Sequence, residues 1–160
     1  MKKYTRIAVG GTFDILHKGH EKLINETFEL ADEVFIGLTS NKFAKKLNKQ
    51  LVNPYSERIK KLENYIQENF SNSSYKIFEL SDYFGPSIFY ENLDALIVTA
   101  ENQHRIKEVN KEREKRGISL LKVEIIELVR AKDGKPISTT RIKRLEIESQ
   151  GNLLKKTSKK

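Results

Sequence analysis

The residues with the clearest capacity for chemistry lie close together near the N-terminus of this 160-residue chain. A short apolar run, Ile7-Ala8-Val9, ends at Gly10-Gly11, and Thr12-Phe13-Asp14 follows. His17 and His20 come next, at the start of an amphipathic segment. Paired glycines let the backbone approach a ligand closely, and histidines spaced by three share one side of a helix's first turn, where free amides favour anions. These residue types predict a site for a nucleotide phosphate.

Other interpretations of the two histidines stay open. They could be ordinary structural or surface residues, or they could bind zinc with Asp14 or the distant His104 as a further ligand, since the chain has no cysteine. The pattern is neither GxGxxG nor a P-loop, because no Gly-Lys-Ser/Thr follows. We expect amides near Gly11 and Thr12, the Thr12 hydroxyl and both imidazoles to hold phosphate oxygens, with no metal bound by the protein.

A second candidate site is Ile137-Ser138-Thr139-Thr140-Arg141, near the C-terminus. Serine and threonine are common helix caps, so an ordinary helix start would explain part of this pattern. Three consecutive hydroxyls followed by an arginine exceed what a cap requires. At a helix N-terminus they add hydroxyl donors and a guanidinium to the free amides, which suits a triphosphate.

Strand and helix signals alternate along the chain, which predicts an α/β fold with a doubly wound, five-stranded, mainly parallel sheet of the Rossmann-like kind. The expected strands cover residues 5–9, 33–39, 75–80, 95–99 and 121–129. The expected helices cover 18–31, 55–68 and 101–116, and a last one begins near Ser138. Residues 40–53 are rich in lysine and are expected to form a mobile basic connection. In such a sheet the ligand crevice lies at the carboxyl ends of the strands, where the first motif falls.

Composition limits the classes of protein to consider. The length predicts one domain over residues 1–152, followed by a basic, disordered tail over 153–160. No apolar stretch is long enough for a membrane span and no targeting segment is evident, so we expect a cytoplasmic protein with no membrane partner. The net charge of +8 favours anionic partners. A basic nucleic-acid-binding module is an alternative, but the basic residues are interspersed with 22 acidic ones, and we expect no nucleic-acid partner.

The stretch from Gly11 to His20 resembles the HxGH signature of the nucleotidyltransferase α/β phosphodiesterase superfamily. Residues 8–14 with 34–40, 82–86 and 133–142 look most like the archaeal type of phosphopantetheine adenylyltransferase, and the resemblance extends to about Leu154. It implies transfer of AMP from ATP to 4′-phosphopantetheine in coenzyme A biosynthesis, giving dephospho-coenzyme A and pyrophosphate, with Mg²⁺ accompanying ATP. Transfer to other acceptors, as in FAD synthetases or glycerol-phosphate cytidylyltransferases, is the alternative within the same fold.

The resemblance also implies roles for individual residues. Thr12 would orient the acceptor phosphate, His17 would contact the α-phosphate and His20 the ribose-phosphate side, with no general base because the acceptor phosphate is already ionised. Lys45 is chosen over Lys42 and Lys46 as the lysine that reaches the reacting phosphates. The catalytic set is His17, His20, Lys45 and Arg141, and the acceptor is bound by Thr12 and Lys45. The nucleotide-binding set is Gly10, Gly11, Thr12, Phe13, Asp14, Gly19, Glu101, Ile137, Ser138, Thr139 and Thr140.

Overall fold

The computed structural model describes residues 2–127, 129–138, 141–142 and 150–154. Within them the chain forms a five-stranded sheet with helices packed on both faces. The strands are β1 (Tyr4–Gly11), β2 (Ala31–Thr39), β3 (Ser74–Leu80), β4 (Ala95–Thr99) and β5 (Lys122–Ile126). The helices are α1 (Lys18–Leu30), α2 (Asn41–Lys46), α3 (Tyr55–Asn69) and α4 (Arg105–Lys115). None of these described helices is long and apolar enough to cross a membrane.

The strand order is β3-β2-β1-β4-β5, and every neighbouring pair is parallel. The predicted doubly wound sheet is therefore confirmed, and its described strands are parallel throughout. The winding direction changes between β1 and β4, which makes the carboxyl end of β1 the topological switch point where such sheets bind ligands. The glycine motif lies at this point.

Alternation along the strands divides the core into two layers, because successive side chains of a strand point to opposite faces. Ile7 and Val9 of β1 are buried in one layer with residues of α1 and α3. Ala8 of β1 and Phe35 of β2 are buried in the other layer with Val109 of α4. Residues 4–38 thus build both faces of the sheet around the first motif.

The segment after β2 differs from its prediction as a mobile connection. Ser40 caps α2, since its Oγ accepts a hydrogen bond of 2.9 Å from the amide of Phe43, and Phe43 and Ala44 are buried. The lysines obscured this pattern in the sequence, because a serine cap and two apolar residues are a short signal among many charges. The segment is anchored to the core at this helix.

The second half of the chain matches the predicted order of elements with shifted ends. The predicted helix over 101–116 is divided into a 3₁₀ turn at Ala100–Asn102 and α4. Gly117, with φ of 69°, follows the end of α4 in the left-handed conformation. β5 ends three residues before its predicted limit at 129, and an antiparallel bridge joins Arg130 to Pro136. The boundary predicted at residue 152 stays a prediction, since residues 155–160 lie outside the described part.

Candidate functional site

The loop that leaves β1 is built on a strained backbone conformation at Phe13. Its φ is 48°, in the left-handed region that bulky residues rarely adopt. The buried ring lies so close to Gly11 that a Cβ there would come within 2.9 Å of Phe13 Cε2. The ring belongs to the core, where it shapes the loop, and nucleotide binding by Phe13 stays a prediction.

Thr12 presents its hydroxyl beside a lysine ammonium at the end of β1. Oγ1 of Thr12 accepts a hydrogen bond of 2.9 Å from Nζ of Lys49 and donates one of 3.5 Å to Oγ1 of Thr39. Thr39 in turn donates to the carbonyl oxygen of Gly11 over 3.2 Å. The glycine loop therefore carries an ordered hydroxyl and a cation, as an anion site requires.

Lys49, and not the predicted Lys45, contacts Thr12 at the end of β1. Lys42, Lys45 and Lys46 point away from the core on α2, because Phe43 and Ala44 of that helix are buried, and none of the three lines the cavity at this edge. A role for Lys45 at the reacting phosphates stays a prediction. The chain reverses at Asn48, whose φ is 57°, and the amide of Lys49 then bonds the carbonyl oxygen of Ala44 over 3.0 Å. An asparagine just after a helix end is the sequence signal that could have located this reversal.

His17 caps α1 through its side chain. Its Nδ1 accepts hydrogen bonds from the amides of Gly19 (3.0 Å) and His20 (3.4 Å). Since Nδ1 is an acceptor, the neutral ring carries its proton on Nε2, which remains a donor. Burial lowers the pKa of His17 to about 4, so the ring is neutral near pH 7. The amides of Gly19 and His20 are committed to His17 and are not free for an anion, contrary to expectation.

Gly19, expected to bind the nucleotide, has a clear role in positioning His17. A Cβ at residue 19 would lie 2.8 Å from Cε1 and 3.0 Å from Nδ1 of His17. Because real Cβ contacts are longer, any side chain at this position would displace the imidazole from its cap. The motif therefore requires glycine at this position, because the His17 ring lies too close for a side chain.

His20 stacks on His17 and has an unsatisfied nitrogen. The two ring centroids are 3.7 Å apart, and the ring of Phe13 lies 4.9 Å from that of His20. Burial, and then the proximity of His17, lower the pKa of His20 to about 3. Its buried Nδ1 has no hydrogen-bond partner within the described part of the chain. A buried polar atom without a partner costs free energy, so packing against His17 and Phe13 holds this ring in place.

Asp14 supports the loop before α3. Its carboxylate oxygens accept hydrogen bonds from the amides of Val52 (2.9 Å) and Asn53 (2.8 Å), and the side chain is buried. Its oxygens hold the backbone at residues 52–53, and nucleotide binding by Asp14 stays a prediction. By fixing that segment, Asp14 helps to place Lys49.

Arg58 is a buried organising residue that sequence reasoning missed. Its guanidinium donates to the carbonyl oxygens of Thr12 (3.0 Å), Thr39 (2.6 Å) and Asn53 (3.0 Å). A buried arginine remains charged and needs such acceptors, so its position joins the β1 loop to β2 and α3. The sequence offers little signal for it, because an arginine in a helix is normally exposed.

The second motif is partly described. Ser138 caps the helical turn at residues 141–142, since its Oγ accepts a hydrogen bond of 3.2 Å from the amide of Arg141. Ile137 is buried. The Arg141 guanidinium pairs with Asp133 and donates to the carbonyl oxygen of Pro136 over 3.0 Å. Ile137, Ser138 and Arg141 do not line the cavity described below. Thr139 and Thr140 lie outside the described residues.

Beyond β4, the predicted nucleotide residue Glu101 is exposed on the 3₁₀ turn and does not line the cavity. Asn102 does line it, and its Nδ2 donates a hydrogen bond of 3.3 Å to Oγ1 of Thr99. On α4, Arg113 is buried and holds backbone carbonyls, including that of Ser87 at 2.6 Å. The exposed His104 lies at the start of α4, away from the paired histidines.

A cavity of about 260 Å³ opens at the carboxyl edge of the sheet. Residues of β1, β2 and β4 line it together with α2, the loop after β3 and α4. Thr12 and Lys49 give it a polar, cationic part, and apolar side chains such as Phe35, Leu80 and Phe84 line much of the rest. His17 and His20 do not line it; they are separated from Thr12 by the buried Phe13, whose ring packs on His20. Polar, cationic and apolar surfaces are therefore continuous in this cavity, with the paired histidines beside it.

A parallel sheet of this order, with a glycine loop and a histidine-capped helix after its first strand, defines a nucleotidyltransferase of the cytidylyltransferase-like class; the family model of that description matches residues 8–145. The chain is 39% identical over 155 residues to the phosphopantetheine adenylyltransferase of Methanothermobacter thermautotrophicus, covering 97% of this chain and 93% of the relative. It belongs to the family of archaeal phosphopantetheine adenylyltransferases.

Further relatives carry the same name, and solved structures share the fold. The phosphopantetheine adenylyltransferase of Methanosarcina barkeri is 40% identical over 153 residues (94% of this chain, 93% of the relative). That of Pyrococcus furiosus is 33% identical over 159 residues (99% of each). A protein of unknown function from Archaeoglobus fulgidus superposes with a TM-score of 0.68 at 26% identity, covering 79% of this chain and 89% of the other. Pantoate-beta-alanine ligase from Francisella tularensis shares the fold, with a TM-score of 0.57 at 14% identity over 91% and 67% of the two chains.

Proposed function

We propose that this chain transfers AMP from ATP to 4′-phosphopantetheine, giving dephospho-coenzyme A and pyrophosphate. The observation that carries the proposal is the continuity of the cavity, which joins the Thr12–Lys49 anion site to an apolar lining. A phosphate on a long uncharged arm has the same two parts. The names of the relatives support the same reaction.

The reaction is an in-line displacement at the α-phosphorus of ATP. An oxygen of the acceptor phosphate forms the new bond, and the bond from the α-phosphorus to the bridging oxygen breaks to release pyrophosphate. The nucleophile arrives ionised, so no general base is needed. Two anions must be aligned against their repulsion, and charge must be stabilised as it develops.

Separate residues bind the two substrates in this proposal: Thr12 and Lys49 bind the acceptor, and the two histidines bind ATP. The Thr12 hydroxyl and the Lys49 ammonium hold the acceptor phosphate, and the positive charge offsets repulsion between the substrates. His17 donates from Nε2 to an α-phosphate oxygen, a role that suits a ring kept neutral by its lowered pKa and oriented through Nδ1. His20, stacked on His17, contacts the ribose-phosphate side of ATP.

The start of the last helix holds the β- and γ-phosphates in this proposal. Arg141 is already oriented by Asp133 and by the carbonyl oxygen of Pro136. The planar guanidinium matches the geometry of phosphate oxygens. Ser138, Thr139 and Thr140 add hydroxyl groups to the same anion site.

Mg²⁺ accompanies ATP in this proposal. Within the described residues no group of three His, Asp or Glu side chains could hold a metal ion, and the carboxylate of Asp14 binds backbone amides. Mg²⁺ commonly binds substrate phosphates while keeping several waters, so the chain need not build a metal cage. The ion would neutralise charge on the leaving pyrophosphate.

The test is a substrate screen with the purified chain. ATP and CTP are each combined with 4′-phosphopantetheine, FMN or glycerol phosphate, and pyrophosphate release is followed. We expect turnover with ATP and 4′-phosphopantetheine, with dephospho-coenzyme A identified by mass spectrometry. Turnover only with FMN, or only with CTP and glycerol phosphate, would overturn the acceptor assignment and leave nucleotidyl transfer in place.

A further inference from the structure

The loop that follows β3 places a partly exposed aromatic residue at the cavity. Tyr83 lines the cavity, yet its side chain remains 48% exposed. Asp82 fastens this loop, since its Oδ1 accepts hydrogen bonds from the amides of Phe84 (2.9 Å) and Gly85 (2.8 Å). Phe84 packs into the core layer beside α4. Tyr83 therefore stands on a fixed loop between the cavity and solvent.

Two helices that line the cavity contact the Tyr83 ring. Phe43 of α2 packs edge-on against it, with centroids 5.2 Å apart and an interplanar angle of 84°. Arg105 of α4 places Cζ 4.4 Å from the ring centroid. All three side chains line the cavity, so Tyr83 bridges α2 and α4 beside it.

Arg105 brings uncommitted hydrogen-bond donors to this place. Arg58 and Arg113 are buried and donate to backbone carbonyl oxygens. Among the described residues, the Arg105 guanidinium contacts the Tyr83 ring and makes no hydrogen bond or ion pair. Its five N–H groups are available to acceptors that enter the cavity. On an uncharged arm those acceptors are the amide carbonyl oxygens.

We propose that Arg105 and Tyr83 determine specificity for the arm of the acceptor. Arg105 donates hydrogen bonds to an amide carbonyl oxygen of the arm, and Tyr83 covers the arm against solvent. This inference rests on the proposed function, because the arm is that of 4′-phosphopantetheine. Exposed aromatic and cation–π contacts are weak, so Tyr83 can move aside as the arm enters.

The experiment compares the Michaelis constants for both substrates in matched variants. Tyr83→Ala and Arg105→Ala remove the two contacts, and Tyr83→Phe keeps the ring. Arg116 lies over Phe89 at 5.1 Å, in a similar cation–π pair whose members do not line the cavity. Phe89→Ala and Arg116→Ala are therefore the controls. Thermal melting checks folding, and Arg105→Gln replaces Arg105→Ala if the latter melts early.

We expect Tyr83→Ala and Arg105→Ala each to raise KM for 4′-phosphopantetheine about tenfold, with kcat and KM for ATP within about twofold of the parent. Tyr83→Phe and the two control variants should keep the parental constants. If Tyr83→Ala and Arg105→Ala leave KM for the acceptor unchanged, or raise KM for ATP equally, this inference is overturned while the proposed function stands. If the parent chain does not turn over ATP with 4′-phosphopantetheine, the proposed function fails, and this inference fails with it.

Discussion

Lys49 donates a hydrogen bond of 2.9 Å from Nζ to Oγ1 of Thr12, although 37 positions separate them in the chain. The contact depends on Asp14 and Arg58, which position the backbone and have no phosphate-binding role in the proposed mechanism. Asp14 holds the amides of residues 52–53, and Arg58 joins the carbonyl oxygens of Thr12 and Asn53. The anion site is thus assembled by buried charged side chains acting on the backbone.

Replacing Lys49 should impair the acceptor side of the reaction. A hydrogen bond to a charged group contributes about 1.5–3 kcal/mol, so Lys49→Ala should lower kcat/KM for 4′-phosphopantetheine about 10- to 100-fold. Lys45→Ala is the matched control, because Lys45 is exposed on α2 and does not line the cavity. Steady-state pyrophosphate release measures both. An equal loss in the two variants would mean that the general positive charge matters rather than the Thr12 contact.

Substitution of His17 can separate its capping role from its proposed catalytic one. Asparagine is a good N-cap, so His17→Asn should keep the melting temperature close to that of the parent. Loss of the oriented donor should lower turnover about 10²- to 10³-fold. His17→Ala should lose both properties, with a cap cost of about 1 kcal/mol. Near-parental turnover in His17→Asn or His17→Ala with the fold intact would contradict the assigned role.

The stacked histidines should make stability depend on pH. Their pKa values are lowered from 6.5 to about 4 for His17 and about 3 for His20. Below about pH 6.5 the unfolded chain binds protons that the folded chain does not, so the free energy of unfolding falls as pH decreases toward 4. Each histidine contributes a slope of up to about 1.4 kcal/mol per pH unit.

Urea unfolding across this pH range measures that slope. Carboxylates also titrate there, so the parent is compared with the double variant His17→Asn/His20→Asn. The double variant should lose stability less steeply on acidification. Identical slopes would show that these imidazoles are not held neutral by burial.

Two glycine substitutions should differ in their effect on activity: one should lower turnover and the other should leave it unchanged. At Gly19 an added Cβ would press on the His17 ring, so Gly19→Ala should lower turnover by displacing it. Gly117 has φ of 69° and open space around it, so Gly117→Ala should cost only about 1 kcal/mol of stability and leave the kinetic constants unchanged. Parental turnover in Gly19→Ala would show that the cap geometry is not needed.

Local signals in the sequence predicted much of the fold. The apolar run of β1 and the amphipathic pattern of α1 act over a few residues, and both predicted elements are confirmed. The predicted boundaries of β5 and α4 were less accurate, because the ends of these elements depend on pairing and packing with distant segments. Within 40–53, charge outweighed the short apolar signal of α2.

The sequence alone determined the class of site: glycines, a hydroxyl and two histidines after the first strand, with a second hydroxyl-rich motif near the C-terminus. Tertiary structure decided which lysine meets Thr12, that Asp14 and Phe13 support the loop, and that His17 uses Nδ1 to cap α1. The physical reason is the separation of the partners along the sequence. Residue type and spacing specify helix ends and contacts between residues close in sequence. A buried charge instead bonds whichever backbone groups the completed fold brings within hydrogen-bonding distance.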